Sequence, residues 1–93
     1  MKIHWSQEAR EDVDRLGDFI AVDDPNRARQ VEEMLSAAPR KLLDFPRRGS
    51  PLSQFEPNEV REFRVGGYLP RYEISDETIE VLRFFHGRED RLG

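Results

Sequence analysis

The sequence predicts a single α+β domain of order β-α-α-β-β-β, with a helical hairpin packed on one face of a small, mainly antiparallel sheet. Three observations predict it. Two apolar stripes at helical spacing occupy residues 9–38, broken by Asp23-Asp24-Pro25. Three alternating segments follow between residues 59 and 85, separated by Gly66-Gly67 and Asp76-Glu77. At 93 residues and 11.0 kDa the chain, taken as one domain over 1–93, has room for one modest core.

Lys2–Trp5 reads as a short first strand, and Ser6 after it is a good helix N-cap. Ala9, Val13, Leu16 and Ile20 then recur at steps of four, three and four, an apolar stripe with acids on the remaining faces. Asp24 is placed to cap a second helix whose first residue is Pro25. Its stripe is Ala28, Val31, Leu35 and Ala38, with Met34 beside it. Pro39 ends or kinks the helix because it lacks a donor and crowds the preceding turn, and a further turn is expected through Leu42 and Leu43. So short a link predicts that the two helices pack as an antiparallel hairpin. Residues 45–57, with three prolines and Gly49, read as a surface loop carrying Arg47 and Arg48. Strands are expected near Glu59–Val65, Tyr68–Ile74 and Thr78–Phe85, the first two joined by a two-residue Gly-Gly turn. The tail from about residue 87 is polar and expected to be loosely held.

Composition narrows the function classes. Nine aromatic residues argue for a packed core despite a charged fraction of 37%. The absence of cysteine excludes a disulfide scaffold, a thiolate metal site and a thiol nucleophile. The longest apolar run, Phe19–Val22, is too short to span a bilayer, so a cytoplasmic chain without a membrane partner is expected. A net charge of −4 argues against a broadly basic nucleic-acid binder, but it is unevenly spread. Residues 1–35 hold five bases against nine acids, whereas residues 36–93 hold ten of each, nine of those bases being arginine. Arginine's rigid fork suits phosphate and carboxylate, so the C-terminal half is where ligands are sought.

A two-residue turn at Gly66-Gly67 sets Val65 opposite Tyr68, Phe63 opposite Pro70, Glu62 opposite Arg71 and Arg61 opposite Tyr72. Alternation then puts Arg61, Phe63, Val65, Tyr68, Pro70, Tyr72, Ile74, Ile79, Val81, Arg83 and Phe85 on the helix-facing side. The other side carries Glu62, Arg64, Arg71, Glu73 and Glu80, together with Val60, Leu69, Leu82 and Phe84, enough apolar surface to require a partial cover. Arg61 and Arg83, on the apolar side, each need a carboxylate, a ligand or a rim position. Pro70 cannot donate to a central ladder, so a bulge or register shift is expected there.

His86, among arginines at the end of the last strand, is a candidate general acid or base, although a lone histidine is more often structural. Arg64, Arg71, Arg83 and Arg88 with Tyr68 and Tyr72 have the chemistry of a phosphate-gripping and base-stacking set. The plainer reading makes Arg71 a cross-strand partner of Glu62 and Arg64 a solvated strand residue. His4 reads as structural. No His/Asp/Glu cluster has ligand spacing, so no metal and no cofactor are expected. No phosphate loop or nucleophile elbow is present.

The series Trp5-Ser6-x-x-Ala9-x-x-Asp12, Asp24-Pro25-x-x-Ala28 and Phe45-Pro46-x-x-Gly49 resembles the RelE/ParE family of toxins. Arg61-Glu62-Phe63, Gly67-Tyr68, Arg71-Tyr72 and the closing Ile79-Glu80-Val81-Leu82-Arg83-Phe84-Phe85-His86-Gly87-Arg88 extend the likeness over nearly the whole chain. The resemblance implies the same β-α-α-β-β-β fold and the toxin half of a type II toxin–antitoxin pair, neutralised by a small antitoxin whose C-terminal segment wraps the toxin. RelE-like members cut mRNA on the ribosome with basic residues, lysines among them. ParE-like members poison DNA gyrase. Here no lysine follows Lys41, and His86-Gly87-Arg88 resembles the ParE-like ending. The resemblance therefore implies a gyrase poison without catalysis of its own, a ParD-like antitoxin partner, and no sequence-specific nucleic-acid binding by the toxin alone. Contacts to antitoxin or target are expected from Arg61, Arg64, Leu69, Arg71, Arg83, Phe84, His86 and Arg88. The alternatives are a ribosome-dependent endoribonuclease using His86, Arg83, Arg64 and Tyr72, and an inactive relative that only binds antitoxin and tunes its operon.

Overall fold

Strand β1 (Lys2–Trp5) opens the chain, and Ser6 turns it into helix α1 (Gln7–Ala21) by accepting the Ala9 N–H on its hydroxyl at 3.0 Å. Asp24 does the same for α2 (Pro25–Ala37), accepting the Arg27 N–H at 3.0 Å with Pro25 at the first position. At Pro39 the α-helix tightens into a 3-10 turn over Ala38–Leu43, which keeps Ala38 and Leu42 on the core side. The rest of the sheet is β2 (Ser50–Pro51), β3 (Glu59–Glu62), β4 (Tyr68–Ser75) and β5 (Thr78–His86), in the order β1-β5-β4-β3-β2. Pairing is antiparallel except between β1 and β5. The computed structural model describes residues 1–88. The expected loose tail falls chiefly on 89–93, outside the described residues; Gly87 is held, donating its N–H to Gly67 at 2.7 Å.

The predicted α+β architecture and the helical hairpin are present. So is the Gly-Gly turn, with Gly66 at φ 59 and Val65 bridging Tyr68. Two corrections concern the sheet. The segment read as pure loop contributes β2, which pairs Ser50 with Glu62 and Pro51 with Arg61, followed by a 3-10 turn at Ser53–Phe55. A two-residue edge strand has no alternation to betray it. That turn supplies the cover expected on the helix-free face, bringing Phe55 against Arg71 beside buried Val60.

The second correction is a bulge. Pairing runs from Ser75↔Thr78 to Tyr72↔Val81 and then jumps to Arg71↔Arg83, leaving Leu82 unmatched. Beyond it the alternation reverses. Phe84, expected on the helix-free side, is fully buried under α1 with Ala9, Val13 and Leu16, its ring 5.0 Å from that of Trp5. Arg83 and Phe85, expected on the helix side, cross to the face of Arg71. Pro70 is tolerated because its missing donor faces Phe63, past the end of β3, where its own carbonyl accepts the Phe63 N–H at 3.2 Å.

Candidate functional site

Beyond Trp5, where β1 stops, two α1-side residues take over the margin of β5. The Ser6 N–H reaches the Val81 carbonyl at 2.9 Å and its hydroxyl donates to the Leu82 carbonyl at 2.8 Å. Asp12, only 4% exposed, accepts the Phe84 N–H at 2.9 Å on Oδ2. The same carboxylate takes a two-point grip from Arg83, at 2.7 and 3.1 Å. Asp12 therefore both caps the bulged backbone and fixes Arg83, whose guanidinium also lies 4.9 Å from the Phe85 ring centre.

On the helix-free face, Arg71 is buried. It pairs with Glu62 at 3.2 Å, the cross-strand partner expected from the register. Its guanidinium sits 5.1 Å from the Phe55 ring centre and 4.8 Å from that of Phe85. A third arginine cluster closes the β3 margin. Glu59 accepts from Arg47 at 2.8 and 3.0 Å and from Arg61 at 2.9 Å. Arg61 also donates to the Gly49 carbonyl at 2.7 Å, meeting the demand for a partner on its apolar face. Hydrogen bonds first from Arg47 and then from Arg61 hold the Glu59 carboxyl below its ordinary pKa.

Tyr72 is not a stacking platform. It is fully buried, donating its hydroxyl to the Pro46 carbonyl at 2.6 Å and accepting the Gly49 N–H at 3.1 Å. Burial raises its phenol pKa, the Gly49 N–H acting in the opposite direction. Gly49 is required there, since a Cβ would lie 2.8 Å from the Tyr72 hydroxyl and 2.9 Å from the Glu62 carbonyl oxygen.

What remains for contact lies in two depressions. One, of about 480 Å³, is lined by Arg48, Leu52, Phe63, Arg64 and Leu69. The other, of about 550 Å³, runs between α1 and the ends of β4 and β5, lined by Leu16, Phe19, Ile20, Tyr68, His86 and Arg88. His86 stacks edge-on to Tyr68 at 5.2 Å and accepts the Arg88 N–H on Nδ1 at 3.1 Å. The eight expected contact residues are thus not one surface: Arg64 and Leu69 share the first depression, His86 and Arg88 the second. Arg61, Arg71 and Arg83 hold structure together, and Phe84 is core. Phe19, 81% exposed, was not singled out as a contact, although Phe19–Val22 is more apolar length than one helix face can bury. Among the described residues no group of three or more histidines and carboxylates could hold a metal ion, and no helix is long and apolar enough to cross a membrane.

A family model described as the ParE toxin of the type II toxin–antitoxin system parDE matches residues 3–91. The chain belongs to the ParE toxin family. Among its relatives are Toxin RelE1 of Caulobacter vibrioides, 29% identical over 86 residues and 92% of each chain, and Putative toxin Y4kP of Sinorhizobium fredii. The latter is 27% identical over 95% of this chain and 90% of its own. A chain of the chromosomal ParDE system from P. aeruginosa has the same fold, with a TM-score of 0.78 at 19% identity over 92% of this chain and 95% of its own. As a ParE family member the chain is a type II toxin, and the two helices on a mixed five-stranded sheet are the ParE fold.

Proposed function

We propose that this toxin arrests growth by binding and poisoning DNA gyrase, with no catalysis of its own, and that a cytoplasmic ParD-like antitoxin neutralises it. Its ParE family membership supports the reading. The observation that carries it is the engagement of the groups a nuclease would need. Arg83 is clamped by Asp12, Arg71 is buried against Glu62, and Tyr72 lies under the 45–51 loop. No lysine after Lys41 replaces them. The apolar groove of Leu16, Phe19, Ile20 and Tyr68, with Arg88 at its mouth, suits an amphipathic segment of an acidic antitoxin.

Purified toxin added to gyrase is expected to block supercoiling and trap cleaved DNA at micromolar concentration. Neither effect would sink the gyrase reading. A specific observation keeps the ribonuclease reading as second. Arg64 and His86 flank the same turn, since a Cβ on Gly87 would lie 3.7 Å from an Arg64 nitrogen and one on Gly67 3.6 Å from His86 Nε2. In-cell mRNA cleavage that disappears in a His86→Ala, Arg64→Ala double variant would favour it. Unaltered growth on expression without antitoxin would indicate an inactive relative.

A further inference from the structure

Strand β1 is the outermost strand on its side, and its outer edge is open. Lys2 and Ser6 direct their N–H groups to Glu77 and Val81 on the β5 side, so period-two alternation turns the N–H and C=O of Ile3 and Trp5 away from the sheet. Among the described residues nothing hydrogen-bonds those outward amides. Edge strands are usually blunted by a charge, a proline or a covering loop on the helix side, yet here that side is apolar. Met1, Ile3, Trp5, Pro39 and Leu43, with Arg40, line a shallow depression of about 400 Å³, in which Met1 and Leu43 are about half exposed. On the opposite face stand Lys2 and His4. His4 already holds Glu80 at 3.1 Å, whereas Lys2 and Arg40 make no ion pair among the described residues.

We infer that the β1 edge receives an extended segment of the antitoxin, which adds a sixth strand to the sheet; this rests on the antitoxin reading above. The segment alternates with period two. Its apolar side chains lie on Ile3, Trp5 and Leu43 beside Arg40, and its carboxylates lie on the other face against Lys2. Charge complementarity selects this occupant over a second copy of the chain, which would bring Lys2 and Arg40 against their own like charges. Main-chain bonds to Ile3 and Trp5 provide the attachment, and the flanking cations favour an acidic strand.

The test uses the full toxin and the small protein encoded next to its gene as the probe. Amide exchange at Ile3 and Trp5 is expected to be fast in the free toxin and protected in the complex. Lys2→Glu with Arg40→Glu, both at exposed positions, is expected to weaken binding about tenfold or more. Ile3→Pro, which removes only an outward donor from the backbone, is expected to weaken it as well. A complex that forms with unprotected Ile3 and Trp5 amides, and with equal affinity for the charge-reversed toxin, overturns the inference while leaving the antitoxin reading standing. Protection already present in concentrated toxin alone would assign the edge to a second copy and overturn it too. No binding by the unaltered toxin would remove the antitoxin reading and this inference with it.

Discussion

The sheet is closed at two margins, and the two closures differ in kind. Past the end of β1, one buried carboxylate, Asp12, meets a backbone N–H and a guanidinium at once. Past the end of β3, the work is divided among Arg47, Glu59, Arg61, Gly49 and Tyr72, in partly exposed contacts that overlap. Concentrating several bonds on one desolvated group makes that group indispensable. Distributing them over a solvated cluster makes each replaceable, because water and the remaining partners fill in.

The largest effect that separates the two margins is therefore expected at Asp12. Asp12→Ala leaves the Phe84 N–H and the Arg83 guanidinium without their acceptor, and urea titration should register a loss of about 3 kcal/mol. Arg83→Met should cost less, about 1 kcal/mol, since Asp12 still accepts from Phe84 and the side chain of Arg83 is 41% exposed. If the two variants are equally damaging, the carboxylate is not the centre of that margin.

Next comes the buried element of the other margin. Tyr72→Phe removes a donor to Pro46 and an acceptor for Gly49, and a loss of about 1–2 kcal/mol is expected in the same titration. Gly49→Ala, which drives a Cβ into the Tyr72 hydroxyl and the Glu62 carbonyl, should cost about 1–3 kcal/mol. Combined, they should fall well short of the sum, because both act on one contact.

The smallest effects are in pH dependence. Glu59 has its folded pKa held below the ordinary 4.5, so its contribution to stability is complete above that value and is lost as pH falls through the lowered one. Glu59→Gln should flatten the acid limb of the stability curve only slightly. Tyr72 acts with the opposite sign. Its folded pKa is raised, so its contribution is complete below 10.0 and declines as pH rises through the raised value. Tyr72→Phe should remove that alkaline decline, and thermal melts across pH would measure both.

The same contrast explains what was legible in the sequence. The β3–β4 register, including the Glu62–Arg71 pair, follows from Gly66-Gly67 and simple alternation, both local signals. The helix caps at Ser6 and Asp24 are equally local. The bulge was sought at Pro70, and the shift does fall within one residue of it on β4, but the extra residue is Leu82. Its backbone is held by Ser6 and Asp12, more than seventy positions away in sequence, so no pattern within β5 announces it. That one displaced residue is why Phe84 was read as a contact and Arg83 as helix-facing. Tyr72 was misread as a stacking group for a similar reason, because its hydrogen-bond partners are backbone groups of a distant loop. Short local turns were readable. Long-range polar caps were not.

The parallel pairing of β1 with β5 has a further consequence, in time and not in space. Partners such as His4 and Glu80 are 76 positions apart, so the first strand to be synthesised has nowhere to dock until almost everything downstream exists. Both helices and the β3–β4 hairpin have their contacts within reach much earlier. Ile3 and Trp5 must therefore wait, apolar and unpaired, while the rest of the domain is being made, and completion of the fold is tied to the arrival of its last strand.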